Sequence, residues 1–537
     1  MKKNLRGLCS AIIMSVMVAG TLAGCSGKNS KDVANVDLGD SFNLQGMPIV
    51  NEEVTIDVLT TRWGNMGDTF TSNKFLTDLE KESNVKINWQ VQSLNDWGEQ
   101  KSILLASGEL PSVIFGSATM SDTDILSNLD YFMPLDDLID KYMPNYKKIL
   151  ENDPELRNLT TYPDGKIYSL GKRLPARPKV SGQLMINKKW LDNLNLEIPT
   201  TIEELNNVLR TFKEKDANGN GDPNDEIIIT GSGSINQYYF TPFGFDAIDS
   251  DMLLKDGKLS YAKTSEAYKE GLKWAQQMYK EGIIDAEIFT QDNTMLQAKN
   301  QDPNIAKVAM SYEWVPDAVF GKWSDEYVAI APIAGPDGKR FAYGNENGVG
   351  ALGRNEVLIT KFCKYPEVVA RWLDEFYTDE ASIQNFWGAI GTVIEKDASG
   401  NYSLLNPPAG TSADAWYWEQ STRDFGPKYA SDELANKLTL SPESGDGLKL
   451  EISKMGEEYI GTPYPTVMYT IEESEELATI TTDIDKYVGE MLALWVSDSS
   501  IDIDAQWDSY VKQLNAMGLE RLIEIRTAAY NRYIGNE

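Results

Sequence analysis

Apolar and polar residues alternate through Val54-Thr55-Ile56-Asp57-Val58, the period-two pattern of a strand with one buried face. Phe75, Leu76 and Leu79 then recur at helical spacing behind Asn73, a residue suited to cap a helix. Alternation returns at Val85, Ile87, Trp89 and Val91. A helix is predicted from about Trp97 to Gly108, where glycine suits the left-handed C-terminal turn. Pro111-Ser112-Val113-Ile114-Phe115 reads as a third, short strand. Strand–helix–strand–helix–strand predicts parallel pairing through right-handed crossovers.

The alternation continues downstream. Thr201-x-x-Glu204 is a capping box for a helix over Ile202–Glu214, and Ile227-Ile228-Ile229 reads as a buried strand. Ser265 caps a helix that brings Tyr268, Leu272, Ala275 and Tyr279 near one face and stops at Gly282. Val308-Ala309-Met310 is another short strand, and Pro366 opens a helix carrying Val369, Trp372, Leu373 and Phe376. From about Asp414 the pattern is mostly helical.

The N-terminus follows another rule. Lys2, Lys3 and Arg6 precede an apolar run from Leu8 to Ala19. That run is shorter than the roughly 20 apolar residues a membrane-spanning helix needs, and it suits an export signal. Leu22-Ala23-Gly24-Cys25 resembles a bacterial lipobox. Residues 1–24 are therefore expected to be a lipoprotein signal peptide, with Cys25 lipidated and residues 25–44 a polar, flexible linker. The chain is expected to work on the extracellular face of the bacterial cytoplasmic membrane, held there by its lipid.

Composition narrows the chemistry. The 537 residues suffice for two or three domains of roughly 150 residues. A formal net charge of −31 argues against nucleic acid as a partner and against docking on an anionic membrane surface. The absence of histidine removes Ser-His-Asp and Cys-His catalysis and His-ligated zinc. Glycoside hydrolysis by two carboxylates survives, but no feature picks a pair out of the 81 acidic residues. Once Cys9 leaves with the signal and Cys25 carries lipid, Cys363 stands alone and no intramolecular disulfide can form.

Several stretches then resemble one family. They are Leu105-Ala106-Ser107-Gly108-Glu109-Leu110-Pro111, Met278-Tyr279-Lys280-Glu281-Gly282-Ile283-Ile284-Asp285, and Trp507-x-x-Tyr510-x-x-x-Leu514-x-x-x-Gly518-Leu519. With the lipobox they resemble the family 1 extracellular solute-binding proteins of bacterial ABC importers, in the branch of oligosaccharide and alginate receptors. The resemblance implies an α/β fold of two lobes, the type II periplasmic-binding-protein-like arrangement. Each lobe would be a mostly parallel sheet flanked by helices, with a ligand cleft between them. It places lobe 1 at 45–172 and 348–393, lobe 2 at 180–342 and 397–537, and hinges near 173–179, 343–347 and 394–396. It implies a monomeric, non-enzymatic receptor that captures a carbohydrate, an oligosaccharide above all, and delivers it to an ABC permease. A peptide or other organic solute, a surface glycosidase and an adhesion or sensory lipoprotein stay open as alternatives.

Two candidate sites follow. Asp216-Ala217-Asn218-Gly219-Asn220-Gly221-Asp222 resembles the first half of an EF-hand loop, with oxygen side chains at positions 1, 3 and 5 and glycine at 6. Position 12 is Ile227 where an EF-hand has Glu, and the acids sit at Asp225 and Glu226. Similar loops bind calcium in some members of the family resembled. The expected structural calcium ligands are Asp216, Asn218, Asn220, Asp225 and Glu226, with the backbone carbonyl of Asp222; a solvated Asx turn is the alternative. For the cleft, flat aromatic faces suit sugar rings and polar neighbours orient them. Strand-end positions nominate Trp63 and Ser117 from lobe 1 and Tyr239, Phe243 and Trp314 from lobe 2, with Asn65 and Asn347, at the second hinge, as polar neighbours. The resemblance adds Trp416 from lobe 2, in the late segment that contributes to the sugar site in similar receptors. Trp89 and Trp372 lie on periodic apolar faces and are assigned to the core.

Overall fold

The strand β1 occupies Val54–Arg62; its first residues alternate buried and exposed, and from Val58 onward all are buried. The change reflects its place inside a sheet. It pairs in parallel with β2 (Val85–Ser93) on one side and β3 (Val113–Phe115) on the other. The intervening helices are Lys74–Ser83, capped by Asn73 accepting the Leu76 N–H at 2.9 Å, and Leu94–Ser107, ended by Gly108 at φ +68°. Val58 and Leu59 point to opposite faces, into two separate apolar cores. This computed structural model describes residues 35–536 apart from 64–67, 247–250, 410, 412 and 442–443. The expected signal peptide, Cys25, the first part of the expected linker and Asn65 lie outside the described residues.

After β4 (Ser169–Arg173) the chain passes to a second sheet. This contains β5 (Gln183–Asn187) and β6 (Ile227–Ile229), followed by a separate hairpin of β7 (Met252–Lys255) and β8 (Lys258–Tyr261). β9 (Val308–Glu313) and β10 (Tyr327–Ile330) complete the sheet in the order β10-β5-β9-β6. The chain then returns as β11 (Leu352–Ile359), which lies antiparallel to both β3 and β4 in the first sheet. The two passages run at 174–182 and 331–351, across the hinges expected near 173–179 and 343–347, and Val180 and Gly344 bridge them.

Two sequence expectations change here. The sheets are mixed: β5 is antiparallel to both β9 and β10, as β11 is to its neighbours. β5 and β11 are the strands that enter each lobe straight from a hinge, so neither has the crossover helix that parallel pairing requires. The second change concerns 397–441, expected in lobe 2. β12 (Ile394–Lys396), β13 (Tyr402–Leu404) and β15 (Leu438–Thr439) form a small third sheet, and β14 (Lys428–Tyr429) extends the first sheet beside β4. Leu174, Trp387, Tyr402 and Tyr417 bury one another there, so the segment belongs with lobe 1. The third passage is accordingly not at 394–396. It is the helix Gly445–Ser453, whose Asp446 pairs with Arg423 while its Ile452 packs on Met185, Val308 and Phe320 of lobe 2. The C-terminal helices Ile471–Ser497, Ile503–Ala516 and Leu519–Tyr533 then close over the lobe 2 core. Among the described residues no helix is long and apolar enough to cross a membrane.

Candidate functional site

Ligand sites in open α/β sheets form beyond the carboxyl ends of strands. In lobe 1 those ends are Arg62 on β1 and Phe115-Gly116-Ser117 after β3. Arg62 is buried between the rings of Phe70 (4.4 Å) and Trp418 (4.9 Å) and donates to the carbonyls of Ser421 (3.0 Å) and Trp418. Burial lowers its pKa to about 10. It clamps the 418–421 segment to the sheet and leaves the next residue, Trp63, 51% exposed at the sheet's edge. Beside it, the bulge between Gly353 and Val357 of β11 turns Glu356 inward. One Glu356 oxygen accepts the N–H groups of Gly426 (2.7 Å) and Ser117 (3.3 Å), and the other lies 2.6 Å from Lys172 Nζ. The buried pair has the extra hydrogen bonds that offset desolvation. Lys172 also donates to the Ser117 hydroxyl (3.4 Å) and the Asp424 carbonyl.

The loop 421–426 is thereby pinned from several directions. Lys428, fully buried and lowered to about 7 by that burial, donates to the carbonyls of Phe425 (2.7 Å) and Gly426 (2.8 Å). Arg423 forms a two-pronged pair with Asp446 (2.7 and 2.8 Å) under the rings of Phe386 and Tyr417. Burial acts to raise the Asp446 carboxyl, but Arg423 and Lys449 outweigh it and hold the group well below the usual carboxylate range.

In lobe 2 the strand end is β9, with Tyr312, Glu313 and then Trp314. Tyr312 stacks on Tyr238 at 4.1 Å and shares a 2.5 Å hydrogen bond with Ser181 in the first hinge. Arg177, also in that hinge, joins the two lobes. Its Nε donates to the Val349 carbonyl of the second hinge (2.9 Å), and its NH1 lies 3.7 Å from Asp424 Oδ1. Its guanidinium carbon lies 5.5 Å from the Trp314 ring centre, a cation–π contact. Burial alone would raise the Asp424 carboxyl; Arg177, Arg423 and Lys172 bring it below its ordinary value. Ser117, Lys172, Asp424, Arg177 and Trp314 thus form one continuous line from lobe 1 to lobe 2.

The loop 215–226 lies apart, between the helix Ile202–Glu214 and β6. Asp216 accepts the N–H groups of Asn220 (3.0 Å) and Gly221 (2.8 Å), and the amides of Asn218 and Asn220 donate to the two oxygens of Asp225. Glu226 is buried; one oxygen accepts the Ala217 N–H at 2.9 Å, and the other has no hydrogen-bond partner. Burial pushes its carboxyl up. The Asp222 carboxylate turns to Asn224, leaving its backbone carbonyl as the ligand to consider. An orphaned buried carboxylate oxygen in an all-oxygen loop fits a hard cation. Among the described residues no three or more Asp, Glu or Cys side chains gather closely enough to hold a metal. Asparagine and backbone oxygens would therefore have to complete the shell.

A sequence model of the bacterial extracellular solute-binding proteins matches residues 64–383. The chain belongs to this family. The solute-binding protein is 33% identical over 552 residues to the fructooligosaccharide ABC transporter substrate-binding protein FusA of Streptococcus pneumoniae, covering 98% of each chain. The solved structure of FusA with kestose matches with a TM-score of 0.80 at 31% identity, over 90% of this chain and all of that one. A FusA EF-hand mutant in complex with fructo-nystose matches at 0.79, with the same identity and coverage. An HMO-binding solute-binding protein of Bifidobacterium longum infantis matches at 0.75 with 25% identity, over 90% of this chain and 99% of that one. The two-lobed type II architecture is shared with these neighbours.

The solute-binding protein treats the nominated cleft residues unequally. Trp63, Ser117 and Trp314 stand at strand ends, exposed or half-buried, and Trp314 lies against Arg177 of the first hinge. Tyr239 is a correction: it is 3% exposed and stacks on Trp274 inside the lobe 2 core. Phe243, half-buried, leans on the same Trp274 at 6.3 Å. Trp416 is a second correction, since it packs in the third sheet's core and on lobe 1. Both aromatics follow polar or loop sequence, which conceals that the segments fold back over a core. Asn347 is exposed and lines a hinge cavity of about 390 Å³ with Arg177, Asp432 and Leu438, apart from the other nominated residues. Arg177, Asp424, Lys172, Glu356 and Glu313 were not nominated. Only Glu313, set between two aromatics, carried a signal in the sequence.

Proposed function

We propose that this chain is the extracellular receptor of a carbohydrate ABC importer, capturing an oligosaccharide between its lobes and delivering it to the permease. The line of contacts from Ser117 through Arg177 to Trp314 carries the reading, because it sets strand ends of both lobes against one hinge. A ligand touching both lobes favours the closed arrangement, which is how capture becomes a signal to a permease. FusA and the HMO-binding neighbour, both named for oligosaccharides, support a carbohydrate ligand. The protein acts by binding, without catalysis, as a monomer. Cys25 carries the lipid that holds it at the outer face of the membrane. Asp216, Asn218, Asn220, Asp225 and Glu226, with the Asp222 carbonyl, hold a structural calcium ion; the neighbour described as an EF-hand mutant supports such a loop in the family. A thermal-shift panel of kestose, fructo-nystose, milk oligosaccharides and control peptides tests the reading. At least one oligosaccharide should raise the melting temperature. A shift with peptides alone would overturn the carbohydrate assignment.

A further inference from the structure

Glu313 is the last residue of β9, between Tyr312, which is tied to the first hinge, and Trp314, which lies under Arg177. Its backbone is locked close to that hinge: a side chain on Gly182 would come within 2.8 Å of the Glu313 carbonyl. The carboxyl is half-buried, yet no cation of the described residues pairs with it, and the neighbouring Trp314 N–H is its hydrogen-bond donor. Across the ladder its register partner on β5 is Gln183, which is uncharged. From the 3-10 segment Gln237–Phe243 it faces the Tyr239 phenol, a buried hydroxyl with no hydrogen-bond partner. Arg177, a cation of the same hinge, is engaged by the Trp314 ring, Asp424 and Val349. With one backbone donor and no cation, the half-buried Glu313 carboxyl keeps acceptor positions open for an occupant of the cleft.

We propose that Glu313 is a carbohydrate-contacting residue that sets the pH range of capture, its carboxylate accepting hydroxyl hydrogen bonds from the sugar ring stacked on Trp314. This rests on the carbohydrate reading above. Burial pushes the Glu313 carboxyl up to about 7, so the group changes charge near neutrality. Sugar hydroxyls donate to the ionised form, which is therefore the binding form. Acid protonates it and weakens capture. With a free-state value of about 7, affinity should fall about 30-fold between pH 8.0 and pH 5.5. At pH 7.0, binding should release about half a proton.

The test is isothermal titration of the full chain with the oligosaccharide that gives the largest thermal shift. It is run at pH 5.5, 7.0 and 8.0, and at pH 7.0 in two buffers of different ionisation heat. Wild type should show the affinity loss and the proton release. Glu313→Gln should bind more weakly at pH 8.0, with an affinity flat within about twofold across the range and no proton release. The variant also separates Glu313 from Lys428, which titrates in the same range. If wild type binds equally at all three pH values with no proton exchange, or if Glu313→Gln keeps the wild-type profile, the role of Glu313 is overturned while the carbohydrate reading stands. If no oligosaccharide binds at any pH, both fall. The buffer experiment needs no variant, so a poorly folded Glu313→Gln still leaves a decisive result.

Discussion

Among single residues, exposure separates the proposed ligand contacts from core. Trp314 and Trp63 keep solvent-facing surface, whereas Trp372 and Trp387 are almost wholly buried. Truncating a core Trp costs about 3–5 kcal/mol of stability. Trp314→Ala and Trp63→Ala should instead leave the melting temperature within about 3 °C of wild type and weaken oligosaccharide binding about 30-fold or more, a loss of about 2 kcal/mol. Calorimetry and titration on the same preparations decide this; early melting with intact binding would place both residues in the core. Glu313 gives a second residue-level outcome, in the unliganded protein. Its folded pKa lies above the unfolded value, so its contribution to stability is fully present below about pH 4.5 and is lost as the pH rises through about 7. Glu313→Gln should accordingly raise the apo melting temperature at pH 8 relative to wild type and change it less at pH 5. At this scale the sequence was legible where a residue's exposure follows from its own strand, as for Trp63 and Trp314. It was not legible for Tyr239 and Trp416, whose burial depends on what folds over them, nor for Arg177 and Asp424, which meet only because two distant segments converge on one hinge.

Elements read more faithfully than contacts. Asn73, Thr201 and Ser265 cap the helices that their sequence signals announce, because a cap is settled within a few residues. β4, β5, β10 and β11 escaped prediction. They flank the hinges, and β4, β5 and β11 carry buried polar residues such as Ser169, Asn187, Glu356 and Gln183, which break the alternation a strand shows when only one face is covered. The loop 215–226 is the element with a separable role. Its oxygens serve one another and the backbone, and Glu226 retains an unpartnered buried oxygen. Calcium binding only the folded loop would stabilise the protein by about 2.7 kcal/mol at a hundredfold excess over its dissociation constant. Chelation should lower the melting temperature, and Asp216→Ala should abolish that sensitivity. An unchanged melting curve in chelator, with no calcium by elemental analysis, would leave the loop a plain turn.

For the whole molecule, two sheets linked by three passages form a hinge with a built-in contact across it. The family resemblance implied the two lobes, and the chain passes between the two sheets at 174–182 and 331–351, across the first two expected hinges. The resemblance misplaced the third, because the 397–441 segment joins lobe 1 through a two-residue strand and a small buried core that no local pattern marks. The proposed tether would act on the entire molecule as well. Two acyl chains on Cys25 would give stable attachment where one would be marginal, so Cys25→Ala should abolish lipid labelling and release the protein from membranes. A variant that is still labelled and membrane-bound would refute the lipobox reading. The central claim is that the lobes close on an oligosaccharide. Small-angle X-ray scattering, with and without saturating ligand, measures it most directly. The account predicts a smaller radius of gyration in the liganded protein, with the compaction reduced in Trp314→Ala. Saturated binding with an unchanged scattering profile would contradict it.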